Sequence, residues 1–294
     1  MKTRRHATVG SRAFTLVEML IGAALASGAG LAIFAVVHAA MLLAARNLSV
    51  NLTNTSVRGA LDRAEQILQQ ADTLPVLIGT SGTAAAAPAA GVSFDSYLGG
   101  PYVISAPPAG LPASTTVLTA IRSTHPFASP PLPRVGDILR ISNTDPALRP
   151  RVAAVFANPP DAAQHQAVSV TLTAALGTPV TFVASTVLTG KFVRPAALLA
   201  MPAGGKRELR YYPLFESTTN LSDPAKYVLL TDQVGMLPED ATPFSLTTTQ
   251  GRIFVGLSLR VRAGNFDQRL AGRQVGEFNT FSRVDSLLAR KLSP

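Results

Sequence analysis

Cysteine occurs nowhere in the 294 residues, so the chain has no disulfide framework and no thiolate to bind a metal or attack a substrate. Histidine is almost as scarce. His6, His38, His125 and His165 are isolated from one another, and no pair has metal-ligand spacing. There is no Gly-x-Ser-x-Gly elbow and no phosphate-binding glycine loop, and "GTSGT" reads as flexible chain. Charged residues make up only 15% of the sequence, and Asp137, Asp161 and Glu239-Asp240 fall near turns or loops, where carboxylates brace the backbone locally. These absences lead us to expect no enzyme, no cofactor and no metal site.

What is present is apolar. The apolar fraction of 47% supports a packed core, in one large domain or two smaller ones, while 22 Gly and 22 Pro imply much loop and extended chain. The net charge of +9 looks like a nucleic-acid signal until its location is considered. Lys2, Arg4, Arg5 and Arg12 supply four of those charges and all precede one apolar run, residues 14–45. A helix over that run would be about 48 Å long, against the roughly 30 Å of a bilayer's hydrocarbon core. One crossing is therefore allowed. The positive flank precedes the run, with only Arg46 and Arg58 close behind it, so the N-terminus is expected to stay cytoplasmic and the rest of the chain to face outward.

Within the run the polar exceptions are Thr15, Glu18, Ser27 and His38. Thr15 and Ser27 are expected to return their hydroxyls to a carbonyl one turn back, and His38 lies near the far end, where an interfacial imidazole is tolerated. Glu18 differs, because a carboxylate in hydrocarbon is costly unless paired, and an intramembrane acid is a functional hypothesis by default. Three readings fit residues 1–45. One is a plain signal anchor with Glu18 near cytoplasmic water. Another is a secretory signal peptide cut after Ala24-Leu25-Ala26, although the apolar run then continues far past the site.

The third rests on "RAFTLVEMLIGAAL", which resembles the N-terminal cleavage and methylation signature of type IV pilins and type II secretion pseudopilins. The resemblance covers residues 12–22 and carries three marks: a basic leader, a cut directly before Phe, and Glu as the fifth mature residue. It implies that a prepilin peptidase cuts between Ala13 and Phe14, that the Phe14 amine is N-methylated, and that Glu18 pairs with such an amine during assembly. Two departures stand out. The family normally has Gly where this chain has Ala13, and often has a proline midway along the helix, where this run has none. Gly22, Gly28 and Gly30 sit among alanines, where small residues either let helices approach closely or are simply tolerated in a membrane helix.

Beyond Arg46 the pattern becomes one-faced. Val57, Leu61, Ala64, Leu68 and Ala71 recur at three- and four-residue intervals, with Arg58, Asp62, Arg63, Glu65 and Gln69 elsewhere, which predicts an amphipathic helix over 46–72 that ends before Pro75. "NLTNTS" is its weak place, because Asn, Ser and Thr compete for backbone hydrogen bonds. Residues 73–134 read as an irregular Ala/Gly/Pro-rich region, with short strands at "YVISA" and "TVLTAI". Residues 135–294 read as a β-rich head. Its strands are expected in "RVGDILRIS", "RVAAVFA", "AVSVTLTAAL", "VTFVAS", "ELRYYPLF", "YVLLTDQVG" and "GRIFVGLSLRVRAG", and at Phe278 to Val284. In the seventh, Ile253, Val255, Leu257, Leu259 and Val261 share one face.

The order "YY", "LLTDQV", "PFSL", "VGLSLRVR" and "RVDSLLARKL" resembles the C-terminal half of J-class pseudopilins and W-class minor pilins over residues 208–291. The fold class expected is α+β: a long N-terminal helix, membrane-spanning in its first half and amphipathic in its second, packed on an antiparallel β-rich head. The segments are a leader at 1–13, a transmembrane assembly helix at 14–45, the amphipathic helix, the irregular region and the head. Through the resemblance, the expected function is that of a minor pilin or pseudopilin in a type IV pilus or type II secretion filament. Its partners would be like subunits, the prepilin peptidase and the inner membrane, with the head periplasmic before assembly and on a filament or the cell surface after it. The rival is a single-pass anchored extracytoplasmic binding domain that never polymerises. A DNA-capturing domain is one form of that rival, since Arg260, Arg262, Arg269, Arg273, Arg283, Arg290 and Lys291 crowd the C-terminal region. Strand alternation puts Arg260 and Arg262 on a solvated face in any case, so no nucleic-acid partner is assigned.

Overall fold

The computed structural model describes residues 15–107, 109–124, 129–142, 144, 148–181, 187–204, 206–216, 218–234, 241–249, 252–262 and 279–288. The fold is α+β, with one long N-terminal helix and a large antiparallel sheet. The helix, α1, runs Leu16–Gln69, and the described residues fall into two compact units that divide between Asn51 and Leu52. "NLTNTS" does not interrupt it. In the first unit, Leu16–Ala45 is a 30-residue apolar segment of mean hydropathy 2.2, long and apolar enough to cross a membrane. Its large side chains, such as Leu20, Ile33, Phe34 and Met41, are exposed.

In the second unit the one-faced pattern is realised. Val57, Leu61, Ala64 and Leu68 are buried, whereas Arg58, Asp62, Arg63 and Gln69 are exposed. The buried four share a hydrophobic cluster with Val92, Phe94, Ala196, Leu198, Leu209, Phe244, Val255, Leu257 and Leu259. Most of the sheet residues in that cluster come from β2 (Gly91–Tyr97), β8 (Thr189–Ala203), β9 (Lys206–Tyr212) and β12 (Arg252–Arg262). Phe244 opens β11 (Phe244–Thr249). β10 (Val228–Val234) lies between β9 and β12, and β13 (Asn279–Leu288) pairs with β12. Val255, Leu257 and Leu259 point into the cluster, as their spacing predicts, and Ile253 is half-buried.

Residues 73–134 hold more order than the sequence reading allows. β1 (Val76–Ile78) and β2 form there, as do β3 (Tyr102–Ser105) and β4 (Val117–Ser123), the two short strands expected. β2 escapes the reading because most of its residues are buried, so no alternation betrays it. Gly91 is required at its start. A Cβ there would lie 2.3 Å from the Leu198 carbonyl oxygen, so only glycine lets β8 approach this closely.

A second core sits in a ring of strands. β3 pairs with β8 and β4, β4 with β7 (His165–Leu172), and β7 with β6 (Val152–Ala157), while β5 (Ile138–Ile141) pairs with β8 on its other edge. Bonds between β5 and the start of β6 close the circle. The Val152 amide donates to Asp137 O at 2.8 Å, the Gly136 amide to Val152 O at 2.9 Å and the Leu139 amide to Pro150 O at 2.9 Å. The result is a small antiparallel barrel whose interior holds Tyr102, Ile104, Leu118, Leu139, Val168, Val170 and Phe192, with the Tyr102 ring edge-on to Phe192 at 4.8 Å. Closure removes the exposed edges that such short strands would otherwise present.

The Tyr102 hydroxyl donates to Pro131 O at the end of this barrel. Burial pushes its pKa up to about 12, against the lowering effect of the Arg122 cation and with a further raising contribution from Asp137. A phenol whose folded pKa exceeds its unfolded value near 10 contributes stability that is complete below pH 10 and is lost as pH rises through about 12. Tyr102→Phe is therefore expected to destabilise the chain by about 1 kcal/mol at neutral pH. The gap between wild type and variant should narrow above pH 10, as read by urea unfolding at matched pH; a gap independent of pH would refute the assignment.

Candidate functional site

The first described turn of α1 is built from Thr15, Leu16, Val17 and Glu18. Thr15 lies just before the helix, and its hydroxyl oxygen accepts from the Glu18 backbone amide at 3.3 Å. Glu18 reaches back, its Oε2 accepting from the Thr15 amide at 3.0 Å and from the Thr15 hydroxyl at 3.1 Å. This reciprocal arrangement is a capping box of the Ser/Thr-x-x-Glu type, which satisfies two of the amides that a helix start leaves without partners. The positive end of the helix dipole adds to the attraction for the carboxylate.

The capping box corrects one expectation. Thr15 lies just before α1, and its hydroxyl acts forward as a cap instead of back to a carbonyl. Ser27 does as predicted, donating to Ala23 O at 2.7 Å. His38 stacks on Phe34 one turn earlier, with ring centroids 5.9 Å apart. At Gly22, Gly28 and Gly30 an added Cβ would meet open space. Ala13 and Phe14, the residues flanking the expected cut, lie outside the described residues, as does the rest of the leader. The side chains of the basic residues named for the C-terminal region also lie outside them.

The capping box was legible in "TLVE", since threonine followed three residues later by glutamate just before an apolar run is a recognised helix-start pattern. Among the described residues, no three His, Asp or Glu side chains are grouped so as to hold a metal ion.

Of the other acids named from the sequence, Glu239 and Asp240 lie outside the described residues, Asp137 is the partner of a cation and Asp161 braces its own turn. Asp137 has no exposed surface; its Oδ1 accepts from Arg194 Nε at 2.6 Å, and its Oδ2 accepts from Arg194 Nη2 at 3.0 Å and from the Arg134 amide at 2.7 Å. The carboxylate bond raises the Arg194 pKa above its ordinary value, partly opposed by burial. Asp161 braces its own turn, accepting from the amides of Ala163 at 2.9 Å and His165 at 2.7 Å, as its loop position predicts. Comparison of the chain with protein-family models, with curated proteins and with solved structures finds no match.

Proposed function

We propose that the chain is a prepilin-like structural subunit, a minor pilin or pseudopilin of a type IV pilus or type II secretion filament, with no catalytic role. The observation that carries this reading is the place of Glu18, an acid folded back onto the start of a 30-residue apolar helix segment. A cut between Ala13 and Phe14 would leave the new amine one residue before the Thr15 amide that Glu18 already engages at 3.0 Å. The acid is thus held at the end of the helix where a cationic amine would be generated. There it can neutralise the amine of its own chain or of a neighbour packed beside it. A buried pair of that kind fixes register more than it adds stability, which is what assembly from identical helices needs.

In this reading the leader stays in the cytoplasm, the apolar segment crosses the inner membrane once, and the β-rich head lies in the periplasm until the helix joins others in a filament. The partners are like subunits, through the apolar segment, and the peptidase that removes the leader. The mature protein recovered from membranes is expected to begin with N-methylated Phe14 when an active prepilin peptidase is present, and to remain uncut when it is absent. Intact mass and N-terminal sequence read this directly. A chain that is uncut in both strains, or that begins at Ser27, would overturn the proposal.

One observation favours a second reading. Because the capping box gives Glu18 a local task, the acid also suits a plain anchor for an extracytoplasmic binding domain that never polymerises.

A further inference from the structure

The chain enters the small barrel from β2 through residues 98–101, where Gly99 and Gly100 both have positive φ (112° and 148°), and leaves it along β8. On one edge β8 changes partner at the exit: residues Gly190–Val193 pair with β5 and residues Ala197–Ala203 with β9. Pro195, which has no amide hydrogen to donate, lies between the two pairings, while the opposite edge of β8 stays paired with β2 across it, from Val193↔Tyr97 through Pro195↔Asp95 to Leu199↔Gly91. The apolar side chains on either side of this junction belong to separate clusters. Charged side chains join the two sides.

Asp95 of β2, 3% exposed, accepts from Arg140 of β5 at 2.8 Å and from Arg149 of the β5–β6 loop at 2.7 Å. Lys191, on the barrel part of β8, reaches Asp72 in the segment after α1 at 2.7 Å. Arg194 holds Asp137 at the base of β5, and Arg151 before β6 holds Glu216 in the loop after β9. Cations from the barrel therefore grip Asp72, Asp95 and Glu216 across the junction, and Asp137 does the same in reverse.

We propose that these pairs form an ionic latch over a hinge made by Gly99-Gly100 and Pro195. The latch sets the orientation of the barrel on the sheet that carries the first core, and its release lets the barrel swing while both cores stay folded. The physical basis is that hydrophobic contact is non-directional, whereas a buried carboxylate held by its cations tolerates one arrangement and penalises others. A glycine pair in left-handed geometry, and a stretch of β8 that at Pro195 is paired on one edge only, bend more readily than the sheets they join. The latch does not depend on whether the chain polymerises.

The absence of native cysteine makes the test clean. The full chain, carrying Gln66→Cys on the exposed side of α1 and Ala154→Cys on the exposed side of β6, is spin-labelled in detergent micelles, and the distance between labels is read by pulsed electron paramagnetic resonance. The parent should give one narrow distance peak. Asp95→Asn should lose that peak to a broad distribution while the far-ultraviolet circular dichroism spectrum is retained. Arg149→Gln combined with Lys191→Gln should do the same, and decides the matter if Asp95→Asn does not fold, because both cations are more than a third exposed. A narrow peak kept by the folded variants, or a parent that is already broad, would overturn the latch.

Discussion

Glu18→Gln is expected to abolish incorporation of the chain into filaments while leaving its membrane insertion and its head unchanged. Glutamine serves as well as glutamate at the third helical position of a capping box, so the Thr15 amide keeps its acceptor and the helix keeps its start. What glutamine removes is the charge. If Glu18 exists to neutralise an N-terminal amine, the variant strands that cation in a poorly solvating site, and losing one partner of such a pair costs far more than the pair contributes. Glu18→Ala removes cap and charge together and is expected to fail equally. The readout is the share of tagged chain recovered in a sheared filament fraction, with the membrane fraction as the insertion control. Wild-type assembly by the glutamine variant and failure by the alanine variant would assign Glu18 to capping alone and favour the anchored binding domain. Wild-type assembly by both would sink the pairing idea altogether.

The second large effect is on stability. Asp137→Ala is expected to destabilise the β-rich unit by about 3–5 kcal/mol, the usual consequence of removing one partner from a buried ion pair. The carboxylate is fully buried and satisfies three donors at once, two from Arg194 and the Arg134 amide. Without it the guanidinium, only 18% exposed, has no counter-charge and the turn at Arg134 loses its brace. Urea unfolding of the full chain in detergent, followed by circular dichroism, measures the loss. Adding Arg194→Ala should then cost less than Arg194→Ala costs alone, because the stranded charge leaves with it. Additive losses would mean that the two residues act independently, against the geometry.

Much of the architecture was legible in the sequence wherever one face of an element meets a core and the other meets solvent. Val57, Leu61, Ala64 and Leu68 fall on one side of a 3.6-residue period, and Val255, Leu257 and Leu259 on one side of a two-residue period; both sets are buried. β13 was expected at Phe278 to Val284 and runs Asn279–Leu288. The "VTFVAS" strand falls largely outside the described residues.

The longest strand among the described residues carries no such signature. β8 is buried along most of its length and packs on both faces, so "AALLAM" carries no alternation, and Pro195 and Pro202 argue against a central strand. It is nonetheless the strand that β2, β3, β5 and β9 all join. Pro195 is accommodated at the partner change on β8, where its carbonyl accepts from the Phe215 amide at 2.8 Å. Asp72, Asp95 and Asp137 are spread through the first half of the chain and their cations through 140–194, so no local pattern could pair them.

The sequence by itself determined the apolar helix, its lone early acid, the capping pattern beside it and the two-residue rhythm of the half-exposed strands. These depend on residues a few positions apart, where spacing alone decides which side chains meet. Only the tertiary structure decided the ring closed between β5 and β6, the spine made by β8 and the ionic junction across it. Those depend on contacts between residues far apart in the chain, and the two-sided burial that creates them erases the periodicity by which a strand is recognised.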